Sequence, residues 1–321
     1  MINKLKRIHW HLRFGVLEII QSGLYSQGIL KENLAYLKRE KYYTNLAPEK
    51  YEAELKDWLK SLNFNDDISN PQTFNGKIQW LKIHDILPIK TKLADKYAVR
   101  EWVEKEIGAQ YLIPIIAVWD KVEDIDISLL PEQFVLKSTT GSGRNYIVRD
   151  KSKCNWDDIK KTLNLWQKYS FGWDGFELQY INIPRKIIAE QYIEQIDGNL
   201  YDYKIHCFHG EPKLIQVIGD RNLEEHTGKA NFYSIEWEKT ALHCRTYNQY
   251  EKDIPKPNKL SEMLNLARIL SKDFKYVRVD LYNINEDIKF GEMTFTPANG
   301  MDIWGGESFE EYNRFLKITD E

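Results

Sequence analysis

The chain has 321 residues, too many for one small core, because single hydrophobic cores stop growing near ~250–300 residues. Its 45 Lys and Arg stand against 48 Asp and Glu, and a net charge of -3 lacks the basic footprint of a general nucleic-acid binder. Three scattered cysteines, Cys154, Cys207 and Cys244, form no C-x-x-C pair and no disulfide scaffold, which fits a reducing cytoplasm.

At the N-terminus, Lys4, Lys6 and Arg7 precede an apolar stretch, Phe14 to Ile20, that Glu18 interrupts. It is too short to span a bilayer, which takes ~20 apolar residues. The spacing predicts an amphipathic helix packed on the body of the protein, with peripheral membrane contact as the alternative. Residues 1–110 are mostly helical in pattern: Leu34, Leu37, Tyr51, Leu55, Trp58 and Leu59 recur at helical spacing, as do Ile78, Leu81 and Lys82. Residues 93–107 predict a further helix that stops at Gly108.

From residue 133 the period changes to that of strands. Gln133 to Lys137 and Tyr146 to Arg149 flank a glycine turn and predict a hairpin, followed by a helix at about 156–169. Ser170 to Arg185, with Gly172, Gly175 and Pro184, reads as a loop. Strands are expected again at 186–193, 201–208 and 212–218. After a proline-marked linker, Ile254 to Pro257, a helix carries Leu260, Met263, Leu264, Ala267 and Leu270 on one face. Two closing strands follow, Tyr276 to Tyr282 and Ile288 to Phe295. Helices ahead of an antiparallel half give an α+β layout rather than the regular alternation of a doubly wound sheet.

Two places carry chemistry. Phe134 to Arg144 (FVLKSTTGSGR) puts Lys137 at the end of an apolar strand just before Gly141, Ser142 and Gly143. Glycines let backbone N–H groups approach a phosphate, and the lysine adds fixed positive charge. The turn leads into a strand and lacks the G-x-x-x-x-G-K-[ST] spacing, so it is no Walker loop, and by itself it is equally an ordinary hairpin turn. Farther on, Arg278-Val279-Asp280 and Glu292-Met293-Thr294 lie on neighbouring strands. Alternation puts Arg278 with Asp280 on one face and Glu292 with Thr294 on another, and across a hairpin those faces can coincide. Two carboxylates so placed are hard oxygen ligands for Mg²⁺ bridging nucleotide phosphates.

With these residues in view the chain resembles the ATP-grasp superfamily, and within it the TupA-like ATP-grasp proteins of cell-surface polysaccharide loci. The resemblance runs from about Pro71 to Gly300 through Thr73–Lys82, Leu93–Arg100, Ile107–Pro114, Phe134–Gly143, Glu190–Ile193, Asp202–Lys204 and Arg278–Gly300. It implies an ATP-grasp fold of two α+β lobes clamping ATP: 1–70 a helical N-terminal region, 71–130 a linking segment, 131–193 the small lobe with the glycine loop, and 194–321 the large lobe with the metal site.

By the same resemblance, Lys96 and Lys137 are the nucleotide lysines, and Gly141, Ser142 and Gly143 close over the phosphates. Glu190, Gln191, Tyr192 and Ile193 correspond to the segment between the lobes whose backbone reads adenine and whose carboxylate is a candidate for the ribose. Lys204 corresponds to a basic residue near the terminal phosphates, Asp280 and Glu292 to the Mg²⁺ ligands, and Arg278 to the arginine that steadies a developing oxyanion. Many ATP-grasp enzymes carry an Asn two residues after the glutamate; here Thr294 stands there as the candidate ligand, with Asn299 as an alternative. The implied activity is an ADP-forming carboxylate–amine ligase of surface polysaccharide synthesis. Its partners are a small-molecule amine and a sugar or glycan carboxylate, with no nucleic acid and with glycan-assembly or membrane association open.

Other motifs weigh less. His206, Cys207, His209, His243 and Cys244 invite zinc, but His206 and His209 point to opposite faces of a strand. Asp124-Ile125-Asp126 matches the D-x-D of glycosyltransferases, the rival reading beside a non-catalytic nucleotide-binding module. Trp173, Tyr233, Trp237 and Trp304 lie in loop-like contexts where a sugar ring could stack.

Overall fold

The structure is a computed structural model that describes residues 38–168, 170–173, 175–194, 200–222, 227–302, 304–306 and 309–319. The expected N-terminal amphipathic helix, with Leu34 and Leu37, lies outside them. Helix α1 (Tyr51–Ser61) buries Leu55, Trp58 and Leu59 at spacings of four and three, against Tyr43, Ile68, Trp173 and Phe176. Helix α2 (Phe74–His84) starts at Thr73, whose side chain accepts from the Gly76 amide at 3.0 Å, and its buried stripe is Phe74, Ile78 and Leu81. Gly76 is required there, because a Cβ would come within 2.0 Å of Asp66 Oδ2.

The single helix expected over 93–107 is two helices, α3 (Pro88–Ala94) and α4 (Val99–Glu106). Asp95 makes the break: its backbone is extended, and its Oδ1 accepts from the amides of Tyr97 at 2.8 Å and Ala98 at 3.1 Å. A side chain offering the backbone such an alternative competes with the helix, and the result turns Lys96 out of the helical register. Helix α4 ends as expected, with Gly108 at φ 109°.

Strands β1 (Ile115–Trp119), β2 (Phe134–Ser138), β3 (Asn145–Val148) and β4 (Ile187–Gln191) form an antiparallel sheet in the order β1-β4-β2-β3. One face packs Phe134, Leu136, Val148, Ile187 and Ala189 against Ile159 and Leu163 of helix α5 (Trp156–Lys168). The first strand of this sheet comes from the stretch read as a linking segment.

Strands β5 (Asp202–Phe208), β6 (Glu211–Asn222), β7 (Thr227–Tyr233), β9 (Tyr276–Ile284) and β10 (Asp287–Thr294) form the second sheet, in the order β10-β9-β5-β6-β7, with β8 (His243–Cys244) between them in sequence. Its apolar face, with Tyr203, Ile205, Cys207, Val277 and Val279, is covered by helix α6 (Leu260–Ser271) and by Leu93, Val99 and Val103 of α3 and α4. The opposite face carries the polar residues of those same strands. A two-stranded ribbon of β8 and β11 (Trp304–Gly305) and helix α7 (Phe309–Phe315) complete the described elements.

Three of the aromatic residues considered as sugar platforms, Trp173, Tyr233 and Trp237, are structural. Trp173 is buried and stacks on Tyr43 at 5.5 Å. Tyr233 belongs to β7, not a loop, and stacks on Trp237 at 4.4 Å, whose indole donates to Ile254 O at 3.0 Å. The Trp304 side chain lies outside the description. No described helix is long and apolar enough to cross a membrane.

Candidate active site

The closing hairpin brings its four polar residues together, and a register shift between Phe290 and Glu292 is what turns the two faces onto the same side. Glu292 pairs with Asp280 and Thr294 with Arg278 in the β9–β10 register. Arg278 donates from Nε to Asp280 Oδ1 and from Nη2 to Oδ2, both at 2.7 Å, and Nη2 also reaches Thr294 Oγ1 at 3.1 Å and Glu292 Oε1 at 3.4 Å. A bidentate arginine pair of this kind fixes the carboxylate plane as well as its charge.

Strand β5 adds Lys204, opposite Asp280 in the register, whose ammonium pairs with Asp280 and with Asp202 at 2.8 Å. The residues Asp202 and Lys204 share a face by the period of two. Burial pushes the Asp280 carboxyl up, and Arg278 and Lys204 oppose it. Burial also acts to raise Glu292, but Lys96, Lys204 and Arg278 together outweigh it and hold its carboxyl at about 2. With 36% of its side chain exposed, Glu292 is the ionised group that the cluster presents outward.

On the small sheet, Lys137 Nζ lies 2.5 Å from Glu190 Oε2, and Arg100 of α4 lies 3.7 Å from Oε1. The register pairs Lys137 with Ile188 and Val135 with Glu190, so these four face away from the α5 core. Gln191 is exposed and Tyr192 and Ile193 are half-buried at the end of β4; the Gln191 amide donates to Pro114 O at 3.0 Å. Gly141 (φ 86°) and Gly143 (φ 70°) form the turn. Phe171 presses on Gly141, where a Cβ would meet its ring at 2.9 Å, whereas Ser142 and Gly143 are exposed.

Lys96 joins the two sheets. Its ammonium donates to Gly141 O at 2.6 Å and stands 4.0 Å from Glu292 Oε2, while its amide donates to Thr139 O at 3.1 Å. Burial lowers its pKa, Glu292 and Glu190 raise it, and Lys137 lowers it. Ion pairs here join five cations, Lys96, Arg100, Lys137, Lys204 and Arg278, to four carboxylates, Glu190, Asp202, Asp280 and Glu292, and Asp95 adds a fifth carboxylate beside Lys96. Cations from both sheets gathered at one place suit a polyphosphate.

Several participants carry no obvious sequence signal. Tyr180 is buried beside the hairpin; burial first, then Glu177 and Glu292, push its phenol well up. Gln179 Nε2 donates to Thr296 Oγ1 at 2.8 Å, and Thr296 in turn donates to Glu177. In the following loop, Ala298 (φ 46°), Asn299 (φ 56°) and Gly300 (φ 62°) are all left-handed, which for non-glycine residues costs roughly 1–2 kcal/mol each. Two buried side chains of α2 hold this loop. Gln79 donates to Asn299 O at 2.9 Å and Gly300 O at 3.0 Å; Lys82 donates to Asn299 O at 2.9 Å, to Gly175 O at 2.8 Å and to Asn299 Oδ1. The alternative ligand Asn299 is thus turned toward Lys82.

The residues set aside have local roles. His206 Nδ1 lies 2.8 Å from the hydroxyls of both Tyr276 and Tyr312, and burial followed by Arg278 and Lys204 pushes its pKa well down. His209 Nε2 accepts from the Lys317 amide at 3.1 Å. Asp126 Oδ1 accepts from the Ser128 amide at 2.9 Å in an exposed turn. The larger cleft, about 880 Å³, lies at the end of the small sheet away from the glycine turn and meets this site only through Gln191 and Tyr192.

A clamp of this build, two antiparallel sheets facing each other across a lysine and a glycine turn, is the ATP-grasp fold. Residues 76–316 match the family described as TupA-like ATPgrasp, and the chain belongs to that family. Among solved structures it is similar to a D-alanine–D-alanine ligase from Bacillus anthracis complexed with ATP, at 18% identity, with 64% of this chain and 54% of that one covered and a TM-score of 0.36. It is also similar to a RimK domain ATP-grasp protein from Sphaerobacter thermophilus (14%, 71% and 69%, TM-score 0.39). D-alanyl-alanine synthetase A from Vibrio cholerae gives 11%, 70% and 63%, with a TM-score of 0.40. The chain spans about half the length of the Bacillus anthracis ligase. No curated protein matches it in sequence.

Proposed function

We propose that the protein is an ADP-forming carboxylate–amine ligase that builds an amide on a uronic acid or related carboxylate in cell-surface polysaccharide synthesis. The observation that carries the reaction type is the junction at Lys96, which sets the glycine turn and Lys137 on one side and the Arg278–Asp280–Glu292 group on the other. The carbohydrate part rests on family likeness alone.

The residues fit a magnesium ion. Glu292 is ionised and outward, Asp280 retains lone pairs beyond those Arg278 and Lys204 use, and Thr294 Oγ1 lies 3.2 Å from Glu292 Oε1. Magnesium is commonly held by one or two carboxylates plus substrate phosphates, and when bound it neutralises charge on the transferring phosphoryl group.

In this reading Lys96 and Lys137 hold the nucleotide phosphates, with the glycine turn above them. A substrate carboxylate oxygen attacks the γ-phosphorus, the bond to the β-phosphate oxygen breaks, and ADP leaves. The amine, having lost a proton to solvent, attacks the acyl carbon of the resulting acyl phosphate, and inorganic phosphate departs with the bonding pair. Arg278 and Lys204 stabilise the oxyanion of that tetrahedral state. No enzyme nucleophile takes part. The site of action belongs to the same proposal: ATP is spent in the cytoplasm.

The test is incubation with Mg-ATP, a panel of uronic acids and a panel of amino acids, following ADP and new amide by mass spectrometry. An amide formed with ADP supports the reading; consumption of a nucleotide sugar instead, with Lys137 dispensable, replaces it by a glycosyltransferase.

A further inference from the structure

Tyr180 joins the glycine turn to the closing hairpin. It ends a 3₁₀ turn over Leu178–Tyr180, inside the stretch that the sequence reads as a loop. Two bonds fix that turn to the chain leaving β10: Gln179 Nε2 donates to Thr296 Oγ1 at 2.8 Å, and Thr296 donates to the buried carboxylate of Glu177. The Tyr180 amide donates to Glu177 O at 3.0 Å. Its ring packs with Ala94, two residues before Lys96, and with Ile183. The ring also meets Phe171 edge-on at 5.3 Å, and Phe171 is the side chain that presses on Gly141.

The phenol has an unused polar end. Tyr180 is only 8% exposed, yet its hydroxyl makes no hydrogen bond with any described residue and is not among the wholly enclosed polar atoms that lack one. The small opening that the ring leaves therefore includes the oxygen. Buried polar groups are nearly always paired, so an open hydroxyl in such a position calls for a partner from outside the chain. The charges that act on it are those of Glu177, Glu292, Arg278 and Asp280. Burial and the three carboxylates keep the phenol protonated against Arg278, so it serves as a donor and not as a base.

The acceptor follows from the two neighbours. Phe171 backs the turn that covers the nucleotide phosphates, and Glu292 is the outward carboxylate that fits magnesium. The group that both of them serve is the terminal phosphate. A neutral hydroxyl suits this place better than a further cation, because it adds a hydrogen bond without competing with magnesium for Glu292.

We propose that the Tyr180 hydroxyl donates a hydrogen bond to the γ-phosphoryl group of the bound nucleotide and orients it for transfer, which makes Tyr180 a catalytic residue. The proton stays on the phenol throughout. The part in catalysis rests on the ligase reading; the contact with the γ-phosphoryl group does not.

The test is calorimetric titration of the full chain and of Tyr180→Phe with magnesium and adenylyl imidodiphosphate, in parallel with magnesium and ADP, together with urea denaturation of both proteins. The expected result is a loss of about tenfold or more for the triphosphate analogue, the scale of a hydrogen bond to a charged group, with ADP affinity within about twofold and an unchanged urea midpoint. Unchanged affinity for the analogue, or an equal loss for both nucleotides, overturns the contact. A lowered midpoint assigns the hydroxyl to the fold and overturns it as well. A γ-selective loss in a protein that forms no amide keeps the contact and removes the ligase reading. Amide formation with a kcat indifferent to Tyr180→Phe keeps the ligase reading and removes Tyr180 from it.

Discussion

The Lys96 ammonium donates to the Gly141 carbonyl at 2.6 Å, so a residue between two helices pins the glycine turn of the small sheet. The same ammonium faces Glu292 of the large sheet at 4.0 Å. One largely enclosed charge therefore contacts both sheets.

A pH dependence follows from it. Burial lowers the Lys96 pKa below its usual 10.5, and Glu292 is the largest influence holding it up. A nucleotide phosphate requires the charged lysine, so affinity is retained at low pH and declines as pH rises through the Lys96 pKa. In Glu292→Gln the decline begins at lower pH. Calorimetric ATP titrations across alkaline pH, without metal, measure both curves; coincident curves count against the Lys96 assignment.

The two carboxylates of the hairpin should respond differently to amidation. Glu292 is partly exposed but ionised against Lys96, Lys204 and Arg278, so Glu292→Gln removes magnesium-dependent turnover and costs some stability, less than the Asp280 change. Asp280 is buried between Arg278 and Lys204, so Asp280→Asn removes turnover and also costs about 3–5 kcal/mol, the scale of breaking a buried pair. Urea denaturation of the two variants distinguishes them.

Lys137→Ala is expected to weaken ATP binding by about 1.5–3 kcal/mol, the scale of a charge-assisted hydrogen bond. Calorimetry checks it, and unchanged affinity would remove the phosphate role of this strand.

Lys82→Met keeps bulk in the helix but withdraws the donor that ties Asn299 to Gly175. The amides of Asn299 and Met301, which close the left-handed turn by bonding Thr296 O and Ala298 O, should exchange with solvent more than about tenfold faster, while β9 and β10 stay protected.

What the sequence reveals here depends on whether a residue's role is set by strand alternation or by distant packing. The pairs Arg278 with Asp280 and Glu292 with Thr294 each follow from the period of two, but it takes a register shift between Phe290 and Glu292, invisible in the alternation, to face one pair with the other. Strand β1, Ile115–Trp119, is uniformly half-buried, so its residues show no alternation and blend with the preceding linker. Strand β7 opens on the polar run Thr227-Gly228-Lys229, which hides its pairing with β6. The helix break at Asp95 depends on a side-chain cap that competes with good helical spacing on both sides. Lys82, Gln79 and Phe171 act through contacts far away in the chain, with Gly175, Asn299 and Gly141 as partners, and local pattern contains no trace of these.

The most direct test of the ligase account uses a substrate carboxylate labelled with ¹⁸O, with products analysed by mass spectrometry after complete turnover. Transfer of the γ-phosphoryl group to that carboxylate requires one labelled oxygen to leave with inorganic phosphate, with one ADP and one phosphate per amide. Label recovered in AMP would mean activation at the α-phosphate, and label in neither nucleotide nor phosphate would mean that the carboxylate is never activated; either result contradicts the account.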